Sequence, residues 1–140
     1  MIRGISRRQF KRLAKDILNW CPYYLGYSPY RAQLPQLRVN YVINTHYADW
    51  IRVKYRTSRI TLYPKLIYTK RELVRYVIHE YVHYLQFYKW EHDFKYIKLS
   101  EIYGYNNNPY EVEARQLASK FTPHIYRRIS KKQINETISN

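Results

Sequence analysis

The sequence predicts a single α+β domain: an N-terminal helix, a small, mostly antiparallel three-stranded sheet, a buried helix and a following glutamate-bearing helix. Three observations lead to this. Several stretches open with helix-capping residues and continue with apolar side chains at helical spacing. Three runs lying between two of them alternate apolar and polar residues with a period of two, as half-buried strands do. The stretch from Tyr76 to Leu85 carries no charge except Glu80, which marks a helix that is buried nearly all round.

Ser6 opens the first helix and Gln9 stands at the third helical position, a capping-box pair. Phe10, Leu13, Ala14, Ile17 and Leu18 keep helical spacing, and Cys21-Pro22 is expected to end the helix, which spans about 6–20. Pro22, Gly26, Pro29 and Pro35 make 22–36 a loop. Strands are expected over Leu37–Asn44, Trp50–Arg56 and Arg59–Ile67. Short polar links between them suggest antiparallel hairpins. Pro64 cannot donate to a ladder, which makes the third run an edge strand or breaks it there. Thr69 and Glu72 form a second capping box, and the helix behind them is expected to reach about Trp90. Asn108-Pro109-Tyr110-Glu111 opens a third helix, with Pro123 as its stop. The tail over 124–140 is basic and polar, with one weak helix from Ser130. The whole of 1–140 reads as one domain with its core at about 37–121.

Composition narrows the class. Hydrophobic residues make up 46% of the 140, too many for a disordered chain. Eighteen are tyrosines, whose hydroxyls need partners when their rings are buried. The single cysteine, Cys21, excludes an internal disulfide and a cysteine-based metal site. No run has the roughly 18–20 apolar residues of a membrane span, and the basic N-terminus lacks the features of a signal peptide. The expected location is cytoplasmic or virion-associated. The formal net charge of +15 lies mainly at the two ends and over 50–75, around a more acidic centre. Such a shell attracts polyanions, nucleic acid among them, or serves solubility alone.

The chemistry centres on His79-Glu80-Tyr81-Val82-His83, an HExxH motif. Residues four apart share one helix face, so both imidazoles can reach one ion. Zinc accepts imidazole nitrogen and keeps a position open, and Glu80, one residue along, can act as general base. Chance alone would put such a motif in roughly one chain in a hundred of this composition. A buried helix also rarely holds two histidines and a glutamate without partners for them. Two histidines leave the ligand set short by one. His92 follows the expected helix end. Glu111 and Glu113 lie on the next helix, pointing to nearly opposite sides. Glu111 has a local task as the capping-box residue. Glu113 neighbours the stripe of Ala114, Leu117, Ala118 and Phe121, and is the preferred third ligand, with Glu111 and His92 as alternatives.

HEYVHYLQ followed by NPYEVEARQLA resembles the gluzincin class of zincins, and among them the small ImmA/IrrE-type peptidases. The resemblance covers about 37–121. It implies a zincin-like fold and a zinc-dependent metallopeptidase, of the kind carried by phages and other mobile elements. His79, His83 and Glu113 match its Zn2+ ligands and Glu80 its general base. Leu117 stands where the family often has an acidic residue, which leaves the partner of a zinc-bound histidine unassigned. A polypeptide substrate would lie extended along an edge strand, with 58–67 the expected one. Tyr103, Tyr105 and His124 are candidate transition-state helpers. A second reading is a basic nucleic-acid-associated protein, since SprT-like proteases combine HExxH chemistry with DNA affinity. A third is a virion structural protein that keeps the fold with little turnover.

Overall fold

The computed structural model describes 1–29, 32–54, 56–87 and 90–139, without the side chains of 90–92 and 133–139. Among the described residues the chain is α+β, with four α-helices and a three-stranded mixed sheet. None of these helices is long and apolar enough to cross a membrane.

Helix α1 spans Arg7–Leu25. Its capping box is complete: the Ser6 hydroxyl accepts the Gln9 amide at 3.1 Å, and the Gln9 side chain accepts the Ser6 amide at 2.7 Å. The helix does not stop at Cys21-Pro22, as the sequence suggests. It runs one turn further, to Gly26 at φ 82°. An interior proline costs about 3 kcal/mol through its lost hydrogen bond and its clash with the preceding turn. Here both Cys21 and Pro22 are buried, and Tyr81 Oη donates to the Gly26 carbonyl at 2.5 Å. Packing of the final turn offsets the defect.

The sheet has the order β1–β3–β2, with β1 at Gln36–Val39, β2 at Ala48–Lys54 and β3 at Thr57–Leu62. The hairpin expectation holds for β2 and β3, which pair antiparallel with Trp50 opposite Ile60. It fails for β1, which runs parallel to β3 with Leu37 opposite Ile60. The third run is therefore the central strand rather than an edge. Its Ile60 and Leu62 are wholly buried and Ser58 and Thr61 nearly so, because this strand is paired on both sides. Pro64 acts as a terminator: β3 ends at Leu62 and Pro64–Leu66 forms a short 3-10 turn. The expected substrate edge over 58–67 is accordingly not available; among the described residues β1 and β2 are the edges of the sheet.

Helix α2, Lys70–Gln86, is the hub, packing on α1, α4, β2 and β3. Thr69 caps it through the Glu72 amide at 3.0 Å. Leu73, Val74, Val77, Ile78, Tyr81 and Tyr84 are at most 1% exposed, and so it is apolar on nearly all sides. The helix ends at Phe87 rather than near Trp90, and a separate helix α3 occupies Trp90–Tyr103. The sequence hides this helix because Phe94, Ile97 and Ile102 are exposed and draw no buried stripe. Gly104 at φ 79° closes it, with its amide on the Ser100 carbonyl at 2.8 Å.

Helix α4 spans Pro109–Ser139 and passes through Pro123. Pro123 and Ser119, the residue four before it, both face solvent, so water can satisfy the freed carbonyl. Beyond the proline Ile125 and Ile129 continue the buried stripe of Ala114, Ala118 and Thr122. The basic tail is thus packed helix as far as Ile129. Ile125→Ala should lower the unfolding free energy by about 2–5 kcal/mol, read by urea denaturation. A detached tail would show no change.

Candidate metal centre

One face of α2 points at the first turn of α4. His79 and His83, a turn apart, hold their rings edge to face with centroids 4.9 Å apart. Glu111 meets both. Its Oε2 lies 3.0 Å from His79 Nε2 and its Oε1 3.0 Å from His83 Nε2. These donor atoms all lie within 4.8 Å of one another, with Glu111 and His83 buried. Bonds of about 2.0–2.2 Å to a tetrahedral ion would set neighbouring donors about 3.3–3.6 Å apart. The two histidine–Glu111 contacts of 3.0 Å would open by a few tenths of an ångström around a divalent cation.

Glu111, and not the preferred Glu113, supplies this carboxylate. The buried stripe of α4 runs through Ala114, Ala118, Ile125 and Ile129, while Leu117 and Phe121 are only half-buried. That rotation brings Glu111, three residues before Ala114, onto the core side. Glu113 is exposed, and its Oε1 accepts from Gln86 Nε2 at 2.8 Å. The capping task expected of Glu111 is absent as well. Asn108 accepts the Tyr110 amide at 3.0 Å, and the Asn108 amide turns to the Tyr105 carbonyl.

Surrounding contacts fix the three groups. Tyr96 Oη donates to Glu111 Oε1 at 2.8 Å. Asn108 Nδ2 ties this corner to α3 through the Tyr96 carbonyl and Ser100 Oγ. Gln86 Oε1 lies 2.9 Å from His83 Nδ1, and Gln86 Nε2 also donates to the Tyr110 carbonyl at 3.1 Å. The chain Glu113–Gln86–His83 places a proton on Nδ1 and leaves Nε2 toward the cluster. Gln86 is therefore the histidine partner left unassigned from sequence. Its signal was present: it stands three residues after His83, on the same helix face. Gln86→Leu should weaken metal binding about 10–100-fold, measured by competition with a chelating dye. Unchanged affinity would remove Gln86 from this role.

The electrostatics suit a cation. Burial disfavours charge on His83, but the hydrogen bond to Glu111, the Glu80 and Glu111 carboxylates and the Gln86 contact raise its pKa above the usual value. A cation at Nε2 would occupy the place of that proton. Burial also opposes charge on Glu111, yet hydrogen bonds from His79, His83 and Tyr96 hold its carboxyl well below the usual range. Glu80 behaves oppositely. Its burial pushes the pKa up to about 7, against the lowering effect of His83 and His79. Such a carboxyl can both accept and release a proton near neutrality.

Two clefts meet at this cluster. The first, about 410 Å³, is lined by Glu80, His83 and Glu111 together with Trp50, Phe87 and Ile97. The second, about 400 Å³, is lined by His79, Glu80 and Glu111 with Arg75, Tyr76 and Arg115. His46, Ala48 and Tyr105 border both. Tyr105 is thus at the site, though its ring is more than half exposed; partial desolvation and the Glu111 and Glu80 carboxylates push its pKa up to about 12, so its hydroxyl stays a donor. Tyr103 lines neither cleft. His124 packs between Tyr24 and Phe121, outside both clefts. The side chain of His92 lies outside those described. Tyr96 and His46 join the site without a sequence signal, since neither sits in a motif.

No protein-family model matches the chain, and comparisons with curated proteins and with solved structures give no match either.

Proposed function

We propose that the protein is a zinc-dependent metallopeptidase, with His79, His83 and Glu111 as ligands and Glu80 as general base. The observation that supports this most is the convergence of Glu111 on both motif histidines, beside a buried glutamate and at the wall of a cleft. Two imidazoles and one carboxylate are a donor set used by hydrolytic zinc sites. When bound, zinc would supply a Lewis acid for a carbonyl and lower the pKa of a water. The similarity of HEYVHYLQ and NPYEVEARQLA to gluzincins supports the same reading, with the glutamate reassigned to Glu111.

The remaining work falls to the chain's own groups. Glu80 takes a proton from the attacking water and returns it to the leaving amine, which its raised pKa allows. The Tyr105 hydroxyl, at the junction of the clefts, donates to the oxygen on which charge develops. The peptide lies against the edge strand β2, whose Ala48–Trp50 segment borders the first cleft. Tyr96 and Gln86 hold Glu111 and His83 in register throughout.

The test is hydrolysis of an unfolded protein such as reduced casein. Protein stripped with a chelator should be inactive, and one equivalent of zinc should restore cleavage. Zinc bound at the cluster without any cleavage would reject the peptidase.

A further inference from the structure

The two clefts differ in character, and the difference selects a substrate. Trp50, Phe87 and Ile97 give the first an apolar wall, and its charged members apart from the centre are Asp49 and Asp93. The second has two cations, Arg75 and Arg115, with Tyr47, Tyr76, Asn106 and Ser119. Glu80 and Glu111 border both clefts, so the proposed centre lies at their junction. Asp93 is paired with Arg52 at 3.3 Å and Asp49 accepts from Tyr63 Oη at 3.0 Å, so a chain crossing the centre would meet a mainly apolar arm on one side and a cationic arm on the other.

Both arginines of the cationic arm are exposed, and contacts within the protein orient them. Tyr47 and Tyr76 stack at 4.6 Å with planes 7° apart, forming its aromatic wall. The Arg75 guanidinium lies 5.3 Å from the Tyr76 ring. Arg115 donates to the Asn106 carbonyl, which ties its guanidinium to the turn before α4. Glu72, one turn before Tyr76 on α2, accepts the Tyr68 amide at 3.0 Å and does not line this arm. The carboxylates that do line it belong to the centre, where a bound cation would offset Glu111.

We infer that the Arg75–Arg115 arm is a carboxylate-binding subsite, and that the preferred peptide places acidic side chains there and an apolar side chain in the Trp50–Phe87–Ile97 arm. The ligand class rests on the peptidase reading. Arg guanidinium groups suit this task because their forked donors match a carboxylate. The subsite acts over short range, since charges elsewhere on the surface are screened beyond about 8 Å at physiological salt.

The experiment uses two fluorescent decapeptides, identical except that a Phe is followed four residues later by Glu-Glu or by Lys-Lys. Binding is read by fluorescence anisotropy at 0.15 M salt on the zinc-loaded full chain carrying Glu80→Gln, which cannot cleave, and cleavage of the same peptides by the chain with Glu80 intact is read separately. The Glu peptide should bind about tenfold or more tightly than the Lys peptide. Arg75→Glu with Arg115→Glu should remove or invert that preference. Arg8→Glu with Lys11→Glu changes net charge equally on α1, outside both clefts, and should preserve it. No preference in the parent protein overturns the inference. Equal loss in both double variants also overturns it, because net charge would then be the cause. If Arg115→Glu fails to fold, Arg75→Glu alone should reduce the preference about threefold. An intact, Arg-dependent preference without cleavage supports the subsite and sinks the peptidase.

Discussion

Glu80→Gln should abolish the proposed peptide hydrolysis, by about 10²–10⁴-fold, while zinc binding at the cluster and the fold are kept. The amide has nearly the same size and cannot take a proton from water. Glu80 is not one of the three clustered donors, so the loss should leave metal affinity largely intact. Stability should hold or rise, because the buried carboxylate carries a desolvation penalty that the amide lacks. Hydrolysis of casein, zinc titration and thermal melting read the three consequences together. Substantial activity in this variant would remove Glu80 as the base.

Glu111→Gln should weaken metal binding at least about 100-fold, and Glu113→Gln no more than about tenfold. The contrast follows from where the two carboxylates sit. Glu111 contacts both Nε2 atoms at 3.0 Å, whereas Glu113 reaches His83 only through Gln86. The amide at 111 offers one weak acceptor in place of two charged oxygens. It also deprives Tyr96 of a charged acceptor and His83 of its strongest support for an imidazolium. Chelator competition on the two variants side by side gives the comparison. Equal losses would contradict the placement of Glu111.

Much of this arrangement is legible in residue patterns because local rules are strong. A complete capping box located the start of α1 and the Thr69 cap that of α2, where Glu72 accepts the Tyr68 amide instead of closing the box, and the charge-poor run around His79 and His83 identified the buried helix. What escaped depends on long-range packing. The partner of β1 is β3, a pairing no local turn encodes, and it makes β3 central. Pro22 and Pro123 look like stops, yet Cys21 and Ile125 bury enough surface to carry each helix through. The choice between Glu111 and Glu113 turned on a rotation of the α4 stripe. Ile125 and Ile129 set that rotation, and they lie beyond the proline taken as the end. Helix α3 could have been inferred from Gly104 as its terminator, but its exposed Phe94 and Ile97 gave no periodic signal. Tyr96 is one of eighteen tyrosines, and nothing local distinguishes it.

X-ray absorption on the zinc-loaded protein tests the central assignment most directly. One zinc per chain is expected, with two imidazole nitrogens and a carboxylate oxygen at about 2.0–2.2 Å. Binding of zinc elsewhere, seen as a shell lacking the two imidazoles, or no stoichiometric zinc at all, would contradict it.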